Sequence, residues 1–159
     1  MREKLSAKYM RVAIEEARKN LRKMEGGPFG ACIVNNQRIL AVARNTVLKH
    51  DATCHAEINA IRIASKRIKN FDLSGCCIYS TTEPCPMCFS AIHWSRIDAI
   101  VYGTNFIAAQ RIGFKEPGIS DIKMKTLTKS KIKIFAGFLR DECNQLLKEW
   151  NNLENKVLY

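Results

Sequence analysis

The stretch CCIYSTTEPCPMCFSAIHWSRIDAIVYG, residues 76–103, decides the fold. Its first part, CCIYSTT at 76–82, is an unbroken apolar and β-branched run that reads as a buried strand. Pro84 and Pro86 then bracket Cys85, which suits a helix start, where a missing N–H leaves no bond unmade. Residues 86–95 read as that helix, and AIVYG at 99–103 as a second buried strand. Working outward, residues 5–24 place Leu5, Tyr9, Val12, Ala13, Ala17 and Leu21 at helical spacing and stop at Gly26-Gly27. FGACIV and RILAVAR flank Asn35-Asn36 as a β-hairpin through a tight turn. Residues 55–67 read as helix. Beyond 103 come a weaker helical stretch at 106–112 and an irregular segment with Pro117 and Gly118. A strand at 131–137 and an amphipathic helix over 139–154 follow. This order implies an α/β protein, a three-layer α/β/α sandwich with a mixed central sheet of five strands, as one domain over 1–159.

Bulk composition narrows the function classes. With 159 residues, 47% of them apolar, the chain can bury one full core. It holds no continuous apolar run of membrane-spanning length, and its first twenty residues are charged throughout, unlike a signal peptide. A cytoplasmic location is expected. In that reducing setting the seven cysteines should be buried thiols or metal ligands, not disulfides. Cys32, Cys76, Cys77 and Cys143 sit among apolar neighbours and read as core. Cys54 reads as a bystander in the packing. The net charge of +11 invites a nucleic-acid reading, but the cations are scattered without interleaved aromatics, as on a solvated surface.

Cys85 and Cys88 are three apart at a helix start, so they share one face and lie where a helix N-terminus favours thiolates. The pair alone is equally consistent with a redox motif or half of a structural zinc site. A structural site wants four protein ligands, and there is no second C-x-x-C. His55 and Glu57 are two apart, which on a regular helix turns them about 200° away from each other. Both can approach one ion only where the chain enters a helix. His55, Cys85 and Cys88 would then form a three-ligand site that leaves zinc's fourth position for water, with Glu57 beside the metal and unbound. The plainer alternative is a surface helix start and two buried cysteines.

HAE at 55–57 followed by PCPMC at 84–88 resembles the signature of the zinc nucleobase deaminases of the cytidine deaminase superfamily. GGPFGACIV at 26–34, Asn45, DATCHAEINAIR at 51–62, TTEPCPMCFSAIHWSR at 81–96 and the closing NKVLY extend the resemblance over nearly the whole chain. Within the superfamily it is most similar to bacterial guanine deaminases. The transfer-RNA adenosine deaminases share the zinc motifs but usually carry valine-proline-valine-glycine where this chain has Gly27-Pro28-Phe29-Gly30.

The resemblance implies one zinc ion per subunit and a hydrolytic reaction in which Glu57 moves protons. Backbone amides around Ala56 and Cys85 would hold the developing charge. It implies that Phe29 stacks on the base, that Asn45 bonds its polar edge, and that Trp94, within the matched 81–96 stretch, is a further substrate contact. In the guanine enzymes a terminal tyrosine, here Tyr159, closes the partner's pocket from a segment exchanged between subunits, here within 139–159. Those enzymes also carry an aspartate after the fourth strand. The matching position is read as Ala108, so that carboxylate is expected to be missing, with Glu142 as its substitute. Guanine deamination to xanthine by a homodimer is therefore expected, with a small nucleobase as the partner. Adenosine deamination in tRNA, favoured by the charge and by Lys129, Lys131 and Lys133, is the alternative. So is action on another aminopurine, an aminotriazine, cytosine or a nucleoside. A binding module with structural zinc is the third class, and it would lose no activity on Glu57→Gln.

Overall fold

A computed structural model describes residues 5–159. The chain forms α1 (Ala7–Arg18), α2 (Asn20–Lys23), β1 (Gly30–Asn35), β2 (Arg38–Arg44), α3 (Ala56–Ile68) and β3 (Cys76–Thr82). It continues through α4 (Pro86–Trp94), β4 (Ala99–Thr104), α5 (Phe106–Arg111), α6 (Asp121–Thr128), β5 (Lys133–Ala136) and α7 (Arg140–Asn151). The five strands lie in the order β2-β1-β3-β4-β5. β1 is antiparallel to both β2 and β3, whereas β3, β4 and β5 run parallel. The sheet is mixed, and the α/β architecture expected from residues 76–103 is the one observed.

Helices cover both faces, which is why β3 and β4 are buried at every position. Successive residues of β1 and β3 serve opposite layers. Ala31, Ile33, Cys76 and Ile78 join Ala60 and Ala64 of α3 and Phe89 and Ile92 of α4. Cys32, Val34, Cys77 and Tyr79 join Met10, Ala13 and Ala17 of α1 and Cys143 and Leu146 of α7. Two glycines set how closely α1 and α7 lie on the sheet. A Cβ at Gly30 would sit 2.1 Å from the Ala13 carbonyl oxygen, and one at Gly103 2.2 Å from Cys143 Sγ.

Three expectations need correction. The hairpin turn is Asn36-Gln37, not Asn35-Asn36; both residues take positive φ, 44° and 64°, as a two-residue turn matched to strand twist requires. The N-terminal helix breaks at Lys19, giving α1 and α2. α6 falls within the segment read as irregular. It was hidden because its apolar residues do not form a buried stripe: Ile122 and Leu127 are exposed, and the buried residue is Asp121. The available signal was Ser120, whose side chain caps the helix by accepting the Lys123 N–H.

Candidate metal centre and substrate pocket

His55 is the N-cap of α3 and Cys85 the N-cap of α4, both with extended backbone. α3 and α4 pack together, so the starts of both helices converge at the carboxyl end of β3. Pro86 fills the first position of α4, and Cys88 follows on the face shared with Cys85. One donor atom each from His55, Cys85 and Cys88 lies within 4.8 Å of the other two. Cys85 Sγ is 3.7 Å from His55 Nδ1.

The protonation pattern fits a cation in this position. A hydrogen bond from Cys88, followed by the bond and charge of His55, pulls the Cys85 thiol down to about 4 despite burial. Burial, then the Cys85 bond and the Glu57 charge, pushes the Cys88 thiol well above its ordinary value. For His55, burial acts downward but is outweighed by the Cys85 hydrogen bond and the charges of Glu57 and Cys85, leaving it at about 8. Without a metal, the trio at neutral pH is a thiolate at Cys85, a thiol at Cys88 and an imidazolium at His55. Two soft sulfurs and one imidazole are a donor set for zinc, and zinc is the cofactor of this site.

Glu57 is 5% exposed and lies beside the trio. Its Oε1 is 2.8 Å from Ser80 Oγ, and its Oε2 accepts from Cys88 Sγ at 3.4 Å. Burial raises its pKa, partly opposed by His55. Ser80 Oγ is also 2.7 Å from the Thr82 carbonyl oxygen. A hydroxyl has one proton, so Ser80 can donate to a charged Glu57, or accept from a protonated one while donating to Thr82.

An aromatic wall stands beside these groups. Phe29 meets Phe114 edge-on at 4.9 Å, and Phe114 meets Tyr159 edge-on at 5.3 Å. Tyr159 Oη accepts the Gly27 N–H at 3.0 Å. Asn45 is buried, and its Oδ1 accepts the Val47 N–H. The glycines before Phe29 make this possible: a Cβ at Gly26 would sit 2.1 Å from Asn45 Oδ1, and one at Gly27 2.6 Å from the Phe29 ring. Leu158 packs on Gly113, so the tail lies along the loop after α5 of its own chain.

That loop supplies a carboxylate the sequence reading missed. Glu116 is half-buried, and it is raised to about 7 by burial and then by the charges of Cys85 and Glu57, with His55 opposing. Ala108 lies in α5 packed against the core and carries no carboxylate, as expected, and Glu116 is an acid near the site that the sequence reading did not single out. Its loop is held by Gln110 Nε2 donating to the Glu116 carbonyl. Two further acids lie behind the site. The Glu83 carboxylate accepts the N–H groups of Phe106 and Asp121, pinning α5 and α6 to the end of β3. Asp121 is raised to about 9 by burial and then by the charges of Glu83, Glu57 and Cys85.

Glu142 is not brought to the site. It forms a two-pronged pair with Arg11 on the outer surface of α1 and α7, at 2.9 and 3.0 Å. Trp94 is 78% exposed at the far end of α4, about 14 Å along the helix from Cys85. In this chain neither touches the pocket.

Residues 3–104 match the family described as the cytidine and deoxycytidylate deaminase zinc-binding region. Guanine deaminase of Bacillus subtilis is 36% identical over 135 residues, 84% of this chain and 86% of that one. A tRNA-specific adenosine deaminase of Haemophilus influenzae is 35% identical over 149 residues, 92% of this chain and 83% of that one. The solved structure of guanine deaminase from Nitrosomonas europaea superposes with a TM-score of 0.82 at 30% identity, over 91% of this chain and 84% of that one. His55, Cys85 and Cys88 lie near enough together to hold one ion, and the chain belongs to the zinc-binding cytidine and deoxycytidylate deaminase family as a zinc-dependent hydrolytic deaminase.

Proposed function

We propose that the substrate is a free purine-type base, with guanine converted to xanthine and ammonia. The observation carrying this reading is the continuous aromatic wall, in which Tyr159 bonds Gly27 and abuts Phe114, which in turn packs edge-on against Phe29. Such a wall suits a base small enough to be enclosed, whereas a nucleotide flipped out of RNA needs an open cleft. Likeness to guanine deaminases supports the same substrate.

Zinc held by His55, Cys85 and Cys88 would supply a water acidified from a pKa of 15.7 toward ~7. Glu57, steadied by Ser80, takes one proton from the attacking water to a ring nitrogen and then a second, from the hydroxyl so formed on the carbon, to the departing amine; water enters and ammonia leaves, with no redox partner. Glu116, titrating near neutrality, holds or accepts a second proton at the edge of the base. The N–H groups around Ala56 and Cys85 belong to two helix starts and offset negative charge as it develops. Phe29 bounds the face of the base and Asn45 its polar edge. In this reading the enzyme is a cytoplasmic homodimer, and its seven buried, free thiols suit that compartment. No helix among the described residues is long and apolar enough to cross a membrane. The exposed α4 edge bearing Met87 and Trp94, one heptad apart, faces the second copy.

The test is ammonia release from guanine, guanosine, adenine, cytosine, cytidine and a tRNA anticodon stem-loop. Release from guanine, with none from the stem-loop, is expected. Activity confined to the stem-loop overturns the free-base reading in favour of adenosine-to-inosine editing, which the +11 charge and the tRNA-specific relatives favour.

A further inference from the structure

A second cleft lies at the end of the sheet opposite the metal centre, where β4 and β5 begin and α4 and α6 end. Its volume is about 440 Å³, and Arg96, Lys129, Lys131 and Lys133 line it together with Asp98. Lys131 and Lys133 alternate along the chain entering β5, and Lys129, the left-handed cap of α6, joins them in lining the cleft. All three are exposed, and none forms an ion pair among the described residues. Arg96 is positioned differently. Asp72 Oδ2 binds it at 2.7 Å, and its guanidinium sits 5.2 Å over the Phe71 ring. That pinning fixes one edge of the guanidinium and leaves further N–H groups for a ligand. On the floor, Ser130 Oγ lies 3.3 Å from His93 Nδ1 and accepts the Ile132 N–H.

Helix carboxyl ends normally repel anions. Here the end carbonyls are already bonded. Ala91, Ile92 and His93 accept from Ser95, Ile97 and Arg96, while Lys125 and Thr126 accept from Ser130 and Lys129. What remains of the dipole is short-ranged, and four cations against Asp98 and Asp72 leave the walls net positive. The deamination site has no use for these residues, since α4 separates them from Cys85 by about 14 Å.

We infer that this cleft binds a phosphate group, with Lys129, Lys131 and Arg96 as its charged walls and Ser130 as a neutral donor. The group can come from a small phosphorylated molecule or from the backbone of a single-stranded nucleic acid, and the two sources are separable. Calorimetric titration with inorganic pyrophosphate and, separately, with a short single-stranded RNA should show binding to the wild-type protein. In the K129Q/K131Q variant pyrophosphate should weaken about fivefold per lysine, the effect of one unit charge at ~4 Å in water. If RNA is the source, RNA binds more tightly than pyrophosphate. The slope of log K on log salt then falls by about 1.4 in the variant, 0.7 for each lysine–phosphate pair removed. If RNA binds no better than pyrophosphate, the ligand is a small phosphate. K66Q/K69Q removes the same charge from α3 and should leave both titrations unchanged; Ser130→Ala should weaken pyrophosphate without altering net charge. The inference is overturned if neither probe binds, or if K66Q/K69Q weakens binding as much as K129Q/K131Q. Glu57→Gln should bind both probes normally, so the result does not depend on which base is deaminated.

Discussion

Zinc affinity should depend on pH with a slope that changes near pH 8. Zinc binds thiolates and neutral imidazole, so loading the site displaces whatever protons those groups hold. Above pH 4 Cys85 is already a thiolate, and it contributes none. Cys88, buried and bonded to Cys85, keeps its proton throughout the neutral range. His55, at about 8, is an imidazolium below that pH. Two protons are therefore displaced between pH 4 and 8, and one above pH 8. Kd should rise about 100-fold for each unit of acidification below pH 8, or about 2.7 kcal/mol, and about tenfold per unit above it. Competition against a chelator of known zinc affinity at about pH 6, 7, 9 and 10 measures both slopes. A dependence of tenfold or less between pH 6 and 7 would refute the reasoning, because it would mean that Cys88 or His55 had already lost its proton. In His55→Ala the steeper slope should disappear along with most of the affinity.

Glu57→Gln should retain zinc by metal analysis while kcat falls about 10²–10⁴-fold; unchanged activity would instead mark a structural metal. Tyr159→Ala loses one hydrogen bond and one ring pair, together about 1–3 kcal/mol, so KM for the free base should rise with little change in kcat. Gly30→Ala drives a Cβ into the Ala13 carbonyl and should lower unfolding stability by about 1–3 kcal/mol in a denaturant titration. Trp94→Arg should shift sedimentation toward the monomer if the α4 edge faces a second copy.

The parts of this protein that were legible in sequence are those whose geometry is local. β3, α4 and β4 follow from apolar runs and from proline at a helix start, and their bounds fall within a residue of expectation. The metal ligands were legible because a spacing of three residues, and a histidine two before a glutamate, constrain a helix start without knowledge of the rest. Glu116 was not legible. It belongs to no periodic element, and its place depends on Gln110 and on a tail more than forty residues later. Glu142 was misplaced for a related reason. Helix phase puts it on a polar face but cannot name its neighbour, and that neighbour, Arg11, is 131 residues away.

This split between local and distant residues has a chemical consequence. The proton-moving and metal-binding groups stand on the first turns of two helices that pack together, so their relative positions are set by the core. The groups proposed to bound the substrate come from four separated segments: the glycine turn before Phe29, the loop bearing Asn45, the loop of Phe114 and Glu116, and the tail ending in Tyr159. They are held by one another, as in the Gly27–Tyr159 hydrogen bond and the Phe29–Phe114–Tyr159 ring series, and by the core, through Asn20 Nδ2 donating to the Gly27 and Asn45 carbonyls and Phe114 packing on Trp150. None of these four segments includes His55, Glu57, Cys85 or Cys88. In the proposed reading the tail and the Glu116 loop are therefore the segments whose exchange should change the substrate, while the His55, Cys85 and Cys88 cluster keeps its geometry.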